Sequence, residues 1–141
     1  MSRTINALNR GELQKGLRAA TKDAENLTRQ ISTADSEPVV RSAAVLLKEV
    51  KRLISTPGGG KPAPPGSPPH RQTGRTRRSW KSKVVQGARR VGSGDFRASI
   101  AEFGTVKEAP RPYARAALQN VEHEMGEVYV TESQRKIATT P

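Results

Sequence analysis

Apolar residues recur at alternating spacings of four and three along the first part of the chain, at Leu13, Leu17, Ala20, Ala24, Leu27 and Ile31. This spacing predicts a helix over residues 10–32 with one apolar stripe. Gly11 and Gly16 weaken its first turns, each by up to about 1 kcal/mol relative to alanine, so the start frays or lies nearer Leu17. The same stripe would suit a coiled-coil seam, but it lasts under three heptads. We therefore expect it to pack in the core.

A second helix is predicted from about Glu37 to Ser55. Ser36, Glu37 and Pro38 combine a capping side chain, an early carboxylate favoured by the helix dipole and a proline suited to the first turn. One face is then apolar at Val40, Ala43, Ala44, Leu47, Val50 and Ile54. The link over residues 33–36 is short, so the two helices are expected to form an antiparallel hairpin.

Residues 57–69 read PGGGKPAPPGSPP, a composition that removes helix and strand hydrogen bonding. A semi-rigid spacer explains it, and a polyproline ligand for an SH3-like groove is the alternative. Such a segment is not expected to satisfy its own backbone groups. We therefore expect an extended arm or exposed loop that becomes ordered on a neighbouring subunit.

Beyond the Pro-rich segment, short stretches favour strands at residues 81–86, 89–92 and 96–103, with Gly87, Gly92 and Gly94 as turn positions. A third helix is predicted to open at Pro110 to Pro112. Its apolar face then carries Tyr113, Ala117, Leu118, Val121, Met125 and Val128, and the pattern fades beyond about Glu132.

The predicted class is α+β, with an N-terminal helical hairpin and a C-terminal helix packed on a small antiparallel sheet. Residues 1–56 form the hairpin and residues 57–70 the Pro/Gly-rich linker or arm. Residues 71–132 supply the sheet and C-terminal helix of the same single domain, and residues 133–141 a flexible tail.

Composition limits the classes of protein that fit this fold. Hydrophobic residues make up 33% of the 141 residues and aromatics 4%, which is little apolar area for a free-standing globule. Burial against partner chains is therefore expected to complete the fold. No disulfide is possible because the chain contains no cysteine. No apolar run approaches the roughly 18 residues of a membrane span, and the polar start lacks a signal peptide's apolar core. We expect a protein that starts in a cytoplasm and does not enter a membrane.

The net charge of +12 is concentrated in one block. No acidic residue lies between Glu49 and Asp95, while that interval holds eleven lysines and arginines. The remainder of the chain is almost neutral, with 14 basic and 13 acidic residues. Such a block indicates a surface that meets a polyanion or an acidic protein, and a solvated basic face is the alternative.

No catalytic or metal-binding constellation is recognisable in the sequence. His70 and His123 lack ligand-spaced neighbours, and nothing beside Asp95 or Glu102 supplies a nucleophile. Trp80 lies in the basic block, but a single aromatic residue is more often a core anchor than a stacking platform. We expect neither enzymatic activity nor a cofactor.

Three short motifs lie between residues 69 and 118. Residues 69–80 read PHRQTGRTRRSW, residues 102–105 read EFGT, and residues 111–118 read RPYARAAL. Together they resemble the neck and tail-completion proteins of lambdoid and related tailed phages. The matching motif residues are Thr73, Gly74, Arg75, Ser79, Glu102, Phe103, Gly104, Thr105, Arg111, Pro112 and Tyr113. These positions suit either fold-defining turns or contacts with a partner.

The resemblance implies a non-enzymatic virion protein at the head-tail junction, assembled in the host cytoplasm as a ring of itself, a hexamer or dodecamer. Its partners would be the head connector or head-closure protein, the tail tube or tail terminator protein, and double-stranded DNA in the channel. The alternatives are a tail terminator ring and a sequence-independent nucleic-acid-binding protein. The residues expected to face the DNA channel or a partner are Arg75, Arg77, Arg78, Lys81, Lys83, Arg89 and Arg90.

Overall fold

The computed structural model describes residues 10–61, 63–71 and 73–140. Their elements follow the order α1 (Arg10–Ser32), α2 (Glu37–Leu53), α3 (Arg75–Ser79), β1 (Trp80–Val85), β2 (Ala88–Ser93), α4 (Phe96–Phe103) and α5 (Ala114–Thr139). The α+β class is confirmed: a long helical hairpin and a C-terminal helix accompany a two-stranded antiparallel sheet.

The N-terminal hairpin of α1 and α2 is confirmed, but the packing predicted for α1 is wrong over most of its length. Residues 11–26 are all exposed, including Leu13 at 50% and Leu17 at 60%. Only the last turns, with Leu27 and Ile31 partly buried, lie against α2 and α5. Helical periodicity defines an apolar stripe without defining what covers it, and within this chain little does.

The centre of the fold is the antiparallel pair of α2 and α5. The Ser42 hydroxyl donates to the Met125 carbonyl at 3.0 Å near one end of the pair. Near the other end, the Asn120 amide donates to Glu49 Oε1 at 3.0 Å. The core between them and the sheet consists of the buried side chains of Val50, Ile54, Trp80, Ala98, Tyr113 and Ala117.

The two strands form a hairpin in which Trp80 pairs with Ser93 and Val85 with Ala88. Gln86 and Gly87 make the turn at φ values of 50° and 73°. Two consecutive positive φ values characterise the type I′ turn, whose twist matches a two-residue hairpin. The two predicted strands and the turn at Gly87 are confirmed. One face of the hairpin, with Trp80 and Val91, packs on the core.

The third predicted strand is wrong, because residues 96–103 form α4. Asp95 caps this helix by accepting the Arg97 backbone N–H on Oδ1 at 3.1 Å, and Gly104 ends it at φ 72°. The apolar residues Phe96, Ile100 and Phe103 are spaced by four and three, which is a helical period. The apolar residues at 96, 98 and 100 also alternate as in a strand, but in the helix Ala98 is buried whereas Phe96 is exposed.

The C-terminal helix α5 starts at Ala114 and continues to Thr139, so residues 133–139 are helical where we predicted a flexible tail. Ser133 is buried at 7% exposure. Two ion pairs join this end to the start of α2: Arg135 with Glu37 at 2.7 Å and Arg41 with Glu132 at 3.0 Å. These contacts stabilise a segment whose apolar pattern alone gave no helix signal.

The described part of the Pro/Gly-rich segment holds no helix or strand, as its composition predicts, yet it lies against its own chain. Ala63 is buried at 4% exposure, and its carbonyl accepts the Arg111 Nε–H at 3.0 Å. The Gly66 N–H donates to the Pro110 carbonyl at 3.2 Å, and the Arg71 N–H to the Thr56 carbonyl at 2.8 Å. Several backbone groups expected to need a neighbouring subunit therefore find partners within the chain.

Candidate nucleic-acid interface

The Thr73-Gly74-Arg75 motif forms the turn that leads into α3 and β1. Gly74 precedes the helix at φ 73°, a left-handed conformation that favours glycine. At the other end of α3, the Ser79 hydroxyl bonds to the Thr76 carbonyl and to the Ser93 hydroxyl, both at 2.6 Å. Because Ser93 ends β2, these contacts hold α3 against the sheet and place its arginines beside the strands.

Five of the predicted basic residues line one shallow concave surface, which we call the basic face. It consists of Arg75, Arg78, Lys81, Lys83 and Arg90. Lys81 and Lys83 alternate along β1 with Trp80 and Ser82, so they point away from the core. Small residues between the charges, including Gly92, Ser93 and Gly94, keep the surface open to close approach, and no acidic residue lines it.

Lys83 lies directly opposite Arg90 in the register of the hairpin. Like charges in this position destabilise an antiparallel pair. Within the described chain, Arg78, Lys81, Lys83 and Arg90 form no ion pair with an acidic side chain. Arg75 approaches Asp95 at 3.6 Å. The arrangement is unfavourable in the free chain and becomes favourable when an anion lies across both strands.

Arg89 belongs to the opposite surface of the hairpin and has an intramolecular role. Its Nε–H donates to the Ala34 carbonyl at 2.8 Å, and its guanidinium pairs with Asp35 at 2.7 Å. The side chain is 15% exposed, so it is largely covered by the link between α1 and α2. Arg89 is therefore separated from the basic face by the alternation of β2.

Arg77 is also separated, in a cleft of about 200 Å³ between α3, α4, residues 69–71 and Thr73. This arginine cleft is lined by Arg71, Arg75, Arg77 and Arg97, and no acidic residue lines it. Arg97 was missed by the sequence prediction because it follows Asp95 and so lies outside the acid-free block. Only the helical conformation of α4 brings it to the cleft.

Glu102, in the second motif, caps the N-terminus of α5. Its Oε2 accepts the backbone N–H groups of Tyr113 at 2.8 Å and Ala114 at 2.9 Å, and Oε1 accepts that of Arg115 at 3.1 Å. A carboxylate there satisfies otherwise unpaired donors and interacts favourably with the helix dipole. Gly104 permits the following turn, since a Cβ at this position would lie 2.7 Å from the Glu108 carbonyl oxygen. Within that turn, Thr105 Oγ1 accepts the Glu108 N–H at 3.1 Å.

Tyr113, in the third motif after Arg111 and Pro112, is fully buried. Its hydroxyl accepts the Trp80 Nε1–H at 3.2 Å and donates to the Ala98 carbonyl at 3.4 Å. The two rings meet edge to face, with centroids 5.7 Å apart. Burial raises the pKa of Tyr113 to about 12. The prediction that Trp80 is a core anchor is confirmed, and it removes the only tryptophan from the basic face.

The two carboxylates considered for catalysis, Asp95 and Glu102, each cap a helix. Asp95 caps α4 and Glu102 caps α5, so each of these carboxylates has a role in the fold. Across residues 10–61, 63–71 and 73–140, no group of three or more histidine, aspartate or glutamate side chains is placed to hold a metal ion. None of the helices formed by these residues has the length and apolar character needed to cross a membrane.

Comparisons with protein-family models, with curated proteins and with solved structures return no match for this chain. The resemblance to phage neck proteins accordingly rests on the three motifs. Several of the motif residues, including Ser79, Glu102 and Tyr113, make contacts within the fold. The basic face is the surface that best suits a partner, because five positive side chains line it.

Proposed function

We propose that this protein is a structural subunit of a tailed-phage virion, a neck or tail-completion ring protein that joins the head connector to the tail around the DNA channel. The observation that supports it best is the basic face, which has Lys83 opposite Arg90 and is lined by no acidic residue. A ring repeats this face once per subunit, so the charges would form a continuous positive collar.

The contacts proposed with DNA are to phosphates and are indifferent to base sequence. The basic face is the outer side of a two-stranded hairpin and carries no aromatic ring, because Trp80 is buried in the core. Lysine and arginine on such a surface neutralise phosphates without reading base edges. This suits DNA that must slide through a channel during ejection.

A ring protein that joins the head connector to the tail also contacts neighbouring virion proteins. The arginine cleft suits such a contact with an acidic neighbour. Its concave shape and its four lining arginines suit a carboxylate side chain better than a duplex, since arginine pairs with carboxylates through a planar fork. The basic face and the arginine cleft, which share Arg75, thus provide a surface for each of the two roles that the charge block alone left undivided. A tail terminator ring would use the same two surfaces.

Electron microscopy of purified particles tests the assignment by locating this chain at the head-tail junction. Deleting its gene is expected to leave DNA-filled or fillable heads and separate tails that do not join stably. Normal infectious particles from the deletion strain would overturn the proposal. The rival function, a nucleic-acid-binding protein of the cytoplasm, is favoured instead if the chain is missing from particles.

A charge-reversal pair tests the basic face itself. Lys83→Glu with Arg90→Glu is expected to abolish complementation of the deletion strain and to reduce the salt dependence of duplex DNA binding by about two phosphate contacts. The matched control is Lys15→Glu with Lys22→Glu, which removes the same charge from the exposed side of α1. Equal loss in both pairs would show that only net charge matters and would contradict a specific DNA-facing surface.

A further inference from the structure

The apolar stripe of α1 is uncovered over about three turns. Leu13, Leu17, Ala20 and Ala24 follow one another at spacings of four, three and four, and all of them are exposed. A helix that stands away from its own domain and carries glycines at 11 and 16 gains little from local propensity. Most helical stability in proteins comes from packing of the apolar face, so this helix requires a partner surface.

The spacing of the stripe specifies what kind of surface that is. A strict alternation of four and three averages 3.5 residues, which is the period by which two helices pack side by side along a seam. The positions flanking the stripe are mostly uncharged, including Gln14, Thr21 and Thr28, whereas Lys15, Lys22 and Arg29 lie on the opposite side. The stripe is therefore built to face another helix, with its basic side left outward.

The same chain carries a second uncovered seam on α4. Phe96 is 67% exposed and Phe103 is 72% exposed, and Ile100 lies between them with the same spacing of four and three. These are the only two phenylalanines of the chain, and the core uses Trp80 and Tyr113 instead. Large aromatic groups at the surface in this regular spacing indicate an interaction site rather than scattered exposure.

We infer that α1 of one subunit packs along α4 of a second copy of this chain. The two seams are complementary in size, because Ala20 and Ala24 leave room for the rings of Phe96 and Phe103. They are also complementary in charge, because Asp23 flanks the alanines and Arg97 follows Phe96. The inference deepens the proposed function and rests on it for one point, the closure of the chain of subunits into a ring.

In the ring of the proposed function each subunit offers α1 to one neighbour and α4 to the other, so the contact is head-to-tail. An open chain of such subunits has a free α1 at one end and a free α4 at the other, and it grows until the subunits close into a ring. Pairing of α1 with α1 of another copy would instead stop at a dimer. The number of subunits that assemble therefore distinguishes α1–α4 pairing from α1–α1 pairing.

Disulfide trapping tests the contact in the full-length chain, which has no cysteine of its own. Leu17→Cys and Phe103→Cys are expected to remain monomeric when oxidised separately and to give a covalent dimer when mixed. A variant with both substitutions is expected to give a ladder of multimers. The control is Lys22→Cys, on the basic side of α1, which should not form a disulfide with Phe103→Cys. Both target side chains are at least 60% exposed, so each substitution should leave the fold intact, and circular dichroism verifies this.

Two outcomes would overturn the inference. Rapid dimerisation of Leu17→Cys alone would show that α1 packs against α1. No crosslink in the mixture, with binding of the full-length wild-type protein to vesicles containing anionic lipid, would assign the helix to a membrane surface. As a second measurement, Leu13→Ser with Leu17→Ser should keep the circular dichroism of the monomer. It should weaken self-association at least tenfold, because burial of even one of the two leucines in the contact contributes about that much.

The result is separable from the test of the proposed function. If particle microscopy locates the chain in the neck but no crosslink forms between α1 and α4, the inference fails and the function stands. If the crosslinked ladder forms but the deletion strain produces normal particles, the head-to-tail contact stands and the phage assignment fails.

Discussion

Replacing Glu102 with alanine should destabilise the fold although the residue lies at a motif that resembles a partner-binding sequence. The carboxylate accepts three backbone N–H groups at the start of α5, two of them part-buried. Loss of a helix cap costs about 0.5–2 kcal/mol, loss of the dipole interaction about 0.3–1 kcal/mol, and a part-buried donor left unpaired about 1–3 kcal/mol. Because these contributions overlap, we expect Glu102→Ala to lower the free energy of unfolding by about 2–4 kcal/mol.

Urea unfolding followed by circular dichroism measures this change. Glu102→Gln keeps one acceptor oxygen and should lose about half as much stability. Glu122→Ala is the matched control, since Glu122 is an exposed glutamate on α5, and surface substitutions usually change stability by less than about 0.5 kcal/mol. A Glu102→Ala variant as stable as this control would refute the capping role and would favour a role of Glu102 in partner binding.

Four further changes have expected outcomes. Tyr113→Phe leaves the Trp80 Nε1–H unpaired in the core and should lower the free energy of unfolding in urea by about 1–2 kcal/mol. In the wild type, the raised pKa of Tyr113 means that the stability is full below pH 10 and falls as the pH rises towards 12. Hydrogen bonding to Arg52 and then Asn120 lowers the pKa of Glu49 from 4.5 to about 2, so Glu49→Gln should reduce stability above pH 4.5 and match the wild type near pH 2, as measured by thermal unfolding across that range. Arg89→Ala should cost about 1–2 kcal/mol and increase amide exchange in β2, because two bonds to the link between α1 and α2 are lost. Lys83→Thr should raise the melting temperature slightly, by removing repulsion from Arg90, while weakening duplex DNA binding; a lower melting temperature would contradict the repulsion.

Helix positions and the hairpin turn were predictable from the sequence because their signals are local. The spacing of apolar residues predicted a helix over residues 10–32, which are the observed bounds of α1. Pro38 indicated the start of α2, which begins at Glu37. Gly87 gave the turn, since only residues that accept positive φ fit a two-residue hairpin. Residues 96–103 fit both a strand and a helix by period, and the Asp95 cap that decides between them was overlooked.

The candidate site was predictable only as a charge block. Counting charges cannot separate Arg89 from Arg90, because the strand places them on opposite faces and the register depends on the turn. It also cannot include Arg97, which reaches the arginine cleft through the conformation of α4. The roles of Glu102 and Tyr113 depend on contacts between residues about 11 to 33 positions apart, which no local pattern encodes.

The exposed length of α1 also has a kinetic consequence. A helix of 23 residues spans about 34 Å, and an uncovered one exchanges between ordered and frayed conformations on a submicrosecond timescale. A partly unfolded segment reaches a partner over a longer distance than a docked one, and it completes its hydrogen bonds after the first encounter. Amide exchange over residues 11–26 is therefore expected to be fast in the free subunit and slow in any assembly that covers the stripe, which makes this helix a direct reporter of assembly.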